Sequence, residues 1–372
     1  MCWRHKSEED ETEQTELQIT ELRRKQTVKE SRIYEVEMND NKLPIVYDSA
    51  YNIHFFGLEK MHPFDSKKWE NVMNHLIVDG KLTKSQYIRP REVTHAELRV
   101  VHSASYLRSL NCSGVVARVV EIPFVACVPN CVVNRILLKP MRIQTGGTIL
   151  AAHLALQRQF AINIGGGFHH ASATKGGGFC VYADITLALS FLFLNERIKT
   201  AMIVDLDAHQ GNGHEHDFAN EDRVFILDMF NYQIYPGDFK AKGLRRWWNT
   251  RKRKETLESI KCAIRLESHT GDREYLSKLK KGLQTSLNTF TPDLIVYNAG
   301  TDVLDGDPLG RLDISAEGVV KRDEMVFMAA AERSIPIVMV TSGGYTSRSA
   351  EAIAESVTNL LDKFILPNDT TH

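Results

Sequence analysis

The sequence predicts a single α/β domain built on a mostly parallel central β-sheet with helices on both faces. Three observations carry that prediction. Short, continuous apolar runs recur along the chain, and runs apolar on both faces suit strands buried between two layers. Stripes of apolar residues at helical spacing lie between them. A chain of 372 residues, 43% hydrophobic and 25% charged, can bury a substantial core in one domain.

Residues 1–40 are dense in Glu, Lys, Gln and Thr, a composition that cannot readily offset ordering entropy, so a disordered or loosely helical tail is expected there. The folded domain is expected over 41–366, followed by a tail at 367–372. After Asp65, which could cap a helix, Trp69, Val72, Met73, Leu76 and Ile77 share one helical face. Strands are expected at 161–164, 201–206, 224–227, 294–297 and 337–340. Leu276, Leu279, Leu283 and Leu287 form a second helical stripe, and Ile353, Ala354, Val357, Leu360 and Leu361 a third. The segment 243–254 reads GLRRWWNTRKRK; an insertion at 243–258 is read as a solvated basic loop.

With 46 basic and 47 acidic residues, no global electrostatic drive toward nucleic acid or an anionic membrane exists, so no direct nucleic-acid binding is expected. No apolar run approaches the ~20 residues of a membrane helix, so no membrane span is expected. The six cysteines show no paired framework and the start lacks a signal-peptide core, which points to a reducing compartment. Cys127 and Cys131 have no second Cys/His pair to complete a zinc knuckle.

Four of the expected strands end in unusual residues: GGGFHH, DAHQGNGHEHD, NAGTD and TSGGY. In parallel α/β sheets the loops at the carboxyl ends of strands build the ligand site, so the chemistry should converge on one sheet edge. Alternation places Asp205, Asp207 and His209 on one side if the extended period persists. A polar strand end with caps and salt bridges is the competing reading. Asp302 closes a second strand and can meet that group. Asp207, His209 and Asp302 would then be three metal ligands with a position open for water, the mark of catalytic zinc. His169 and His170 follow three glycines at the same edge and suit proton transfer near neutrality. Gly178 and Phe179 suggest an aromatic channel wall, or simply a glycine-rich turn. Tyr345, after Gly343 and Gly344, could aim a phenol at oxyanion charge.

Taken in order, GGGFHHA, GGGFCVYADI, DLDAHQGNG, NAGTD and TSGGY resemble the histone deacetylase family of the arginase/deacetylase fold. HFFGLEKMHPFD, VHSASYL, EIPFV, QTGGT and KRDEMVF resemble its class IV branch, and the similarity runs from about Ile45 to Leu361. The resemblance implies a zinc-dependent hydrolase that removes acetyl and long fatty acyl groups from lysine, with histone tails among the substrates and residence in nucleus and cytoplasm. It implies Asp207, His209 and Asp302 as zinc ligands, His169 and His170 as general base and acid, and Tyr345 as the residue polarising the acyl carbonyl. Phe179 would form the channel wall and Gly178 a backbone contact to substrate. Asp205 would orient the first histidine, with a structural K+ nearby. Where the larger classes carry an aspartate behind the second histidine, this chain has Asn212. An amide orients an imidazole but stabilises its cation less well, so His170 is expected to be the less cationic histidine and activity on simple acetyl-lysine to be weaker. An arginase-like two-manganese enzyme would need further carboxylates in these motifs. A deacetylase-like scaffold or corepressor component, binding protein partners through the N-terminal tail, is the non-catalytic alternative.

Overall fold

The computed structural model describes residues 16, 18–37, 39, 41–53, 65, 67–237 and 260–365. Among these, strands β1 (Ile45–Val46), β2 (Phe160–Asn163), β3 (Ala201–Asp205), β4 (Val224–Asn231), β5 (Ile260–Leu266), β6 (Ile295–Asn298) and β7 (Ile337–Val340) form one sheet. Their order is β1-β2-β7-β6-β3-β4-β5, and every neighbouring pair is parallel.

The two-residue period of each strand divides its apolar side chains between two cores. Ala161, Ile203, Val296 and Val338 join one, with residues of the Lys139–Arg158 and Asp184–Leu194 helices. Ile162, Val204, Tyr297 and Met339 join the other, with the Lys68–Val78, Asp272–Thr289, Ala316–Ala331 and Ser349–Leu360 helices. Helices therefore cover both faces, which explains why the central strands are apolar throughout rather than alternating. In the Asp272–Thr289 helix, Tyr275, Leu279, Leu283 and Leu287 are buried at i, i+4 steps, and burying each leucine contributes roughly 1.5–3 kcal/mol. None of the described helices is long and apolar enough to cross a membrane, and the described cysteines are all free.

The structure departs from the sequence reading in four places. Residues 18–30 are helical, and Val28 and Ile33 are buried in the first core, so part of the charged tail is packed. Two apolar residues at the right spacing suffice for docking, a signal that bulk composition averages away. Asp65 does not cap its helix: the N-cap is Lys67, without a side-chain cap bond, while Asp65 Oδ1 accepts from Lys67 N. Strands β1 and β5 went unforeseen; β1 has two residues, and β5 alternates between buried and exposed positions like an edge strand. The basic insertion at 243–258, the tail at 367–372 and most of HFFGLEKMHPFD lie outside the described residues.

Candidate functional site

Strands β2, β7, β6 and β3 are contiguous in the sheet, so the four unusual loops emerge side by side from their carboxyl ends. β3 ends at Asp205 and the chain then turns. Asp205 consequently does not join Asp207 and His209: the extended period that would have aligned all three stops at Asp205. Asp207, His209 and Asp302 come together, their ligand atoms within 4.8 Å of one another and all three residues buried. His209 Nδ1 lies 3.1 Å from Asp207 Oδ1 and 2.7 Å from Asp302 Oδ2. Ala208 N donates to Asp302 Oδ1 at 2.8 Å, locking the two loops in register. On the far side, Ser342 Oγ and Gly343 N donate to Asp207 Oδ2 at 3.0 and 3.1 Å.

This trio attracts positive charge. Burial depresses His209, but Asp207 and Asp302 more than reverse that and raise it to about 10. Burial and the neighbouring Asp207 carboxylate raise Asp302 to about 7, so it competes for protons at neutrality. Two carboxylates and an imidazole are zinc-type donors, and a site that gathers protons in this way suits a divalent cation. His169, Asp205 and His214 also have ligand spacing. There a single carboxylate is already met by two imidazoles: Asp205 Oδ2 lies 2.9 Å from His169 Nδ1 and 2.8 Å from His214 Nε2.

The tandem histidines follow β2 through a glycine turn held by Asp184, which accepts from Gly167 N and Phe168 N, each at 2.8 Å. With Nδ1 on Asp205, the His169 ring sets Nε2 3.6 Å from Asp207 Oδ1, at the edge of the ligand trio. Burial lowers His169, yet Asp205 and Asp207 prevail and raise it to about 9. His170 Nδ1 lies 2.8 Å from Asn212 Oδ1. An amide oxygen only accepts, so Nδ1 carries the hydrogen and Nε2 presents its lone pair. Burial, then the charges of His169 and His209, push His170 well below its ordinary value. His170 is thus the less cationic of the pair, the direction that Asn212 suggested.

Two cavities meet at this centre. A mostly apolar inner one has Ile53, Trp69, Ile122, Phe124, Leu137 and Met141 among its lining and reaches His169, His170, Asp207 and Tyr345. A more open outer one is bordered by Gln233, Tyr235, Pro236, Leu309 and Arg311. His170, Gly178, Phe179 and Tyr345 line both. Gly178 (φ +52°) and Phe179 (φ +66°) both sit in the left-handed region, unusual for Phe. A Cβ on Gly178 would run into the His170 ring, so this turn needs glycine. Burial and Asp302 raise the Tyr345 phenol well above its ordinary value, leaving it a hydrogen-bond donor at neutrality.

Asp207, His209, Asp302, His169, His170, Gly178, Phe179 and Tyr345 lie at this centre, with Asp205 and Asn212 directly behind the tandem histidines. Sequence reasoning assigned no role to several others. Tyr235 packs edge-on against His170, ring centroids 4.8 Å apart. EIPFV and QTGGT were noted only as motifs, yet Ile122, Phe124, Val125 and Gln144 line the inner cavity. His214 was visible in GNGHEHD but had no assigned partner. Two buried cations escaped notice because nothing in their local sequence separates them from surface charges. Arg322 pairs with Asp323 at 2.7 Å and donates to Gly300 O and Leu206 O, tying the ends of β6 and β3. Lys68 Nζ donates to Ser342 O, Gly343 O and Gly344 O at 2.6, 3.0 and 3.3 Å. Burial lowers Lys68 to about 8, with Asp302, Asp207 and Asp307 opposing.

The family model described as histone deacetylase domain matches residues 62–361. Histone deacetylase 2 of Arabidopsis thaliana is 49% identical over 339 residues, covering 91% of this chain and 83% of that protein. Histone deacetylase 1 of Homo sapiens is 27% identical over 315 residues, covering 83% of this chain and 62% of that protein. Among solved structures, the HDA15 HD domain superposes with a TM-score of 0.66 at 18% identity, covering 86% of each chain. An HDAC homologue complexed with SAHA gives 0.63 at 20% identity, covering 86% of this chain and 83% of that one.

Proposed function

The chain belongs to the histone deacetylase family, and from that footing we propose that it hydrolyses the side-chain amide of acyl-lysine in peptides and proteins, histone tails among them. One observation carries the reading. Asp207, His209 and Asp302 converge beside the unprotonated Nε2 of His170, where the inner and outer cavities meet. Asp207, His209 and Asp302 would hold zinc, which would supply Lewis-acid chemistry toward the acyl carbonyl and the attacking water. Lysine enters through the outer cavity between Phe179 and Tyr235, and the acyl group extends into the inner one. Tyr345 donates its phenolic hydrogen to the acyl carbonyl oxygen, where negative charge develops. His170 Nε2 takes a proton from the attacking water, and the His169 imidazolium, held by Asp205, opposes the growing negative charge. His170 then returns its proton to the leaving amine.

The apolar lining of the inner cavity supports long-chain acyl groups beside acetyl, the preference of the class IV branch that the motifs resemble. Behind the site, the buried carboxyls of Glu215 and Asp228 share a hydrogen bond near Asp205, and burial raises both. A K+ ion there would neutralise this acidic group. We take the catalytic domain to span 41–366, with Val28 and Ile33 of the preceding segment packed into its core, and the protein to act in nucleus and cytoplasm.

Release of acetate and myristate from matched acetyl-lysine and myristoyl-lysine peptides tests the reading, with metal content and His170→Ala measured alongside. His170-dependent release with about one zinc per chain is expected. No release by zinc-loaded protein would overturn the hydrolase; release confined to the acetyl peptide would overturn the chain-length assignment.

A further inference from the structure

Burying a lysine is costly, and the cost is tolerated only where the ammonium is fully paired. Lys68, at the first turn of the Lys68–Val78 helix, is fully buried beneath the loop that follows β7. Its three N–H groups meet the carbonyls of three successive residues, Ser342, Gly343 and Gly344. Three carbonyl dipoles aimed at one point repel each other unless a cation sits there. The same loop is engaged on its other side: Ser342 Oγ and Gly343 N clamp Asp207 Oδ2, and Tyr345 N donates to Asp307 Oδ2 at 2.8 Å. Gly344 at φ +128° contributes no stiffness of its own between clamp and phenol.

We propose that Lys68 is a positioning residue of the hydrolase site: its ammonium fixes the Ser342–Gly344 backbone and thereby sets where Tyr345 presents its phenol. The inference rests on the acyl-lysine hydrolase reading. The next residue, Trp69, lines the inner cavity, so one helical turn braces the phenol from below and walls the acyl chamber. A charge that only balanced the acidic centre would not need three consecutive carbonyls as its acceptors.

Lys68→Met keeps the length of the side chain and removes the cation. A reacting group misplaced by about 1 Å costs roughly 100-fold in rate, so kcat should fall about 100-fold, with KM within about twofold of wild type. In a Tyr345→Phe background the same substitution should cost less than about threefold, because both act through one phenol. Amide exchange at Gly343 and Tyr345 should quicken at least about tenfold while the β3 and β6 amides stay protected. Should Lys68→Met not fold, Lys68→Gln, which keeps an N–H donor without charge, carries the same comparison. Full multiplicative loss in the Tyr345→Phe background, or unchanged exchange at Gly343 and Tyr345, overturns the inference. If the wild-type protein releases no carboxylate from acyl-lysine peptides, the hydrolase reading falls, and amide exchange alone decides what Lys68 does to the loop.

Discussion

Asn212→Asp converts the second imidazole pair into a copy of the first, and the structure contains its own control. His169 and His170 lie side by side, ring centroids 4.1 Å apart, each with Nδ1 on an oxygen acceptor at 2.9 and 2.8 Å. The carboxylate-backed ring is raised to about 9 and the amide-backed ring is pushed well down. A unit charge placed about 4 Å from the imidazolium at an effective dielectric near 20 is worth roughly 4 kcal/mol, or about three pKa units. Asn212 is only partly buried, and a new carboxylate there loses some hydration, so the substitution is expected to raise His170 by about 1–3 pH units. The sign follows from its role. His170 works as the base in its neutral form, so raising its pKa moves the acid limb of the kcat/KM profile to higher pH. At a pH below both values, activity drops about tenfold for every pH unit that the limb moves. The substitution should not threaten the fold, because residue 212 opens the Asn212–Asp217 helix, where a negative charge suits the dipole. Measuring kcat/KM from about pH 5 to 9 for both proteins settles it; an acid limb displaced by less than about 0.3 pH units refutes the assignment of His170 as base.

Two further outcomes follow from the same geometry. Because His209 is raised to about 10 and Asp302 to about 7, the metal-free site holds at least about one proton at pH 7, which zinc must expel. Calorimetric binding enthalpies should therefore scale with buffer ionisation heat, and a flat dependence would rule the trio out as the zinc site. Gly178→Ala adds a Cβ against the His170 ring at a left-handed backbone position, so kcat should fall roughly 100-fold while the protein loses only about 1 kcal/mol of stability. A variant with near-normal kcat would show that the Gly178 turn does not position His170.

What the sequence determined by itself was the sheet's buried strands and the residues at their carboxyl ends. Both are local signals: apolar runs report burial on two faces, and a glycine run or paired acids directly after such a run report a loop that must do something other than pack. The five recognised motifs therefore named Asp207, His209, Asp302, the tandem histidines and Tyr345 before any contact was known. Tertiary structure alone decided how they are grouped. Asp205 stands apart from Asp207 and His209 because β3 ends where it does, and it serves two imidazoles, one of them the unassigned His214. Strand order made the four loops neighbours, although 93 residues separate the carboxylate of Asp302 and the imidazole of His209 in the chain. Lys68 reaches the Ser342 carbonyl across 274 residues. The physical reason is the same in each case: a lone charged residue reads as solvated surface unless its partners are known, and those partners arrive from distant strands only when the sheet closes.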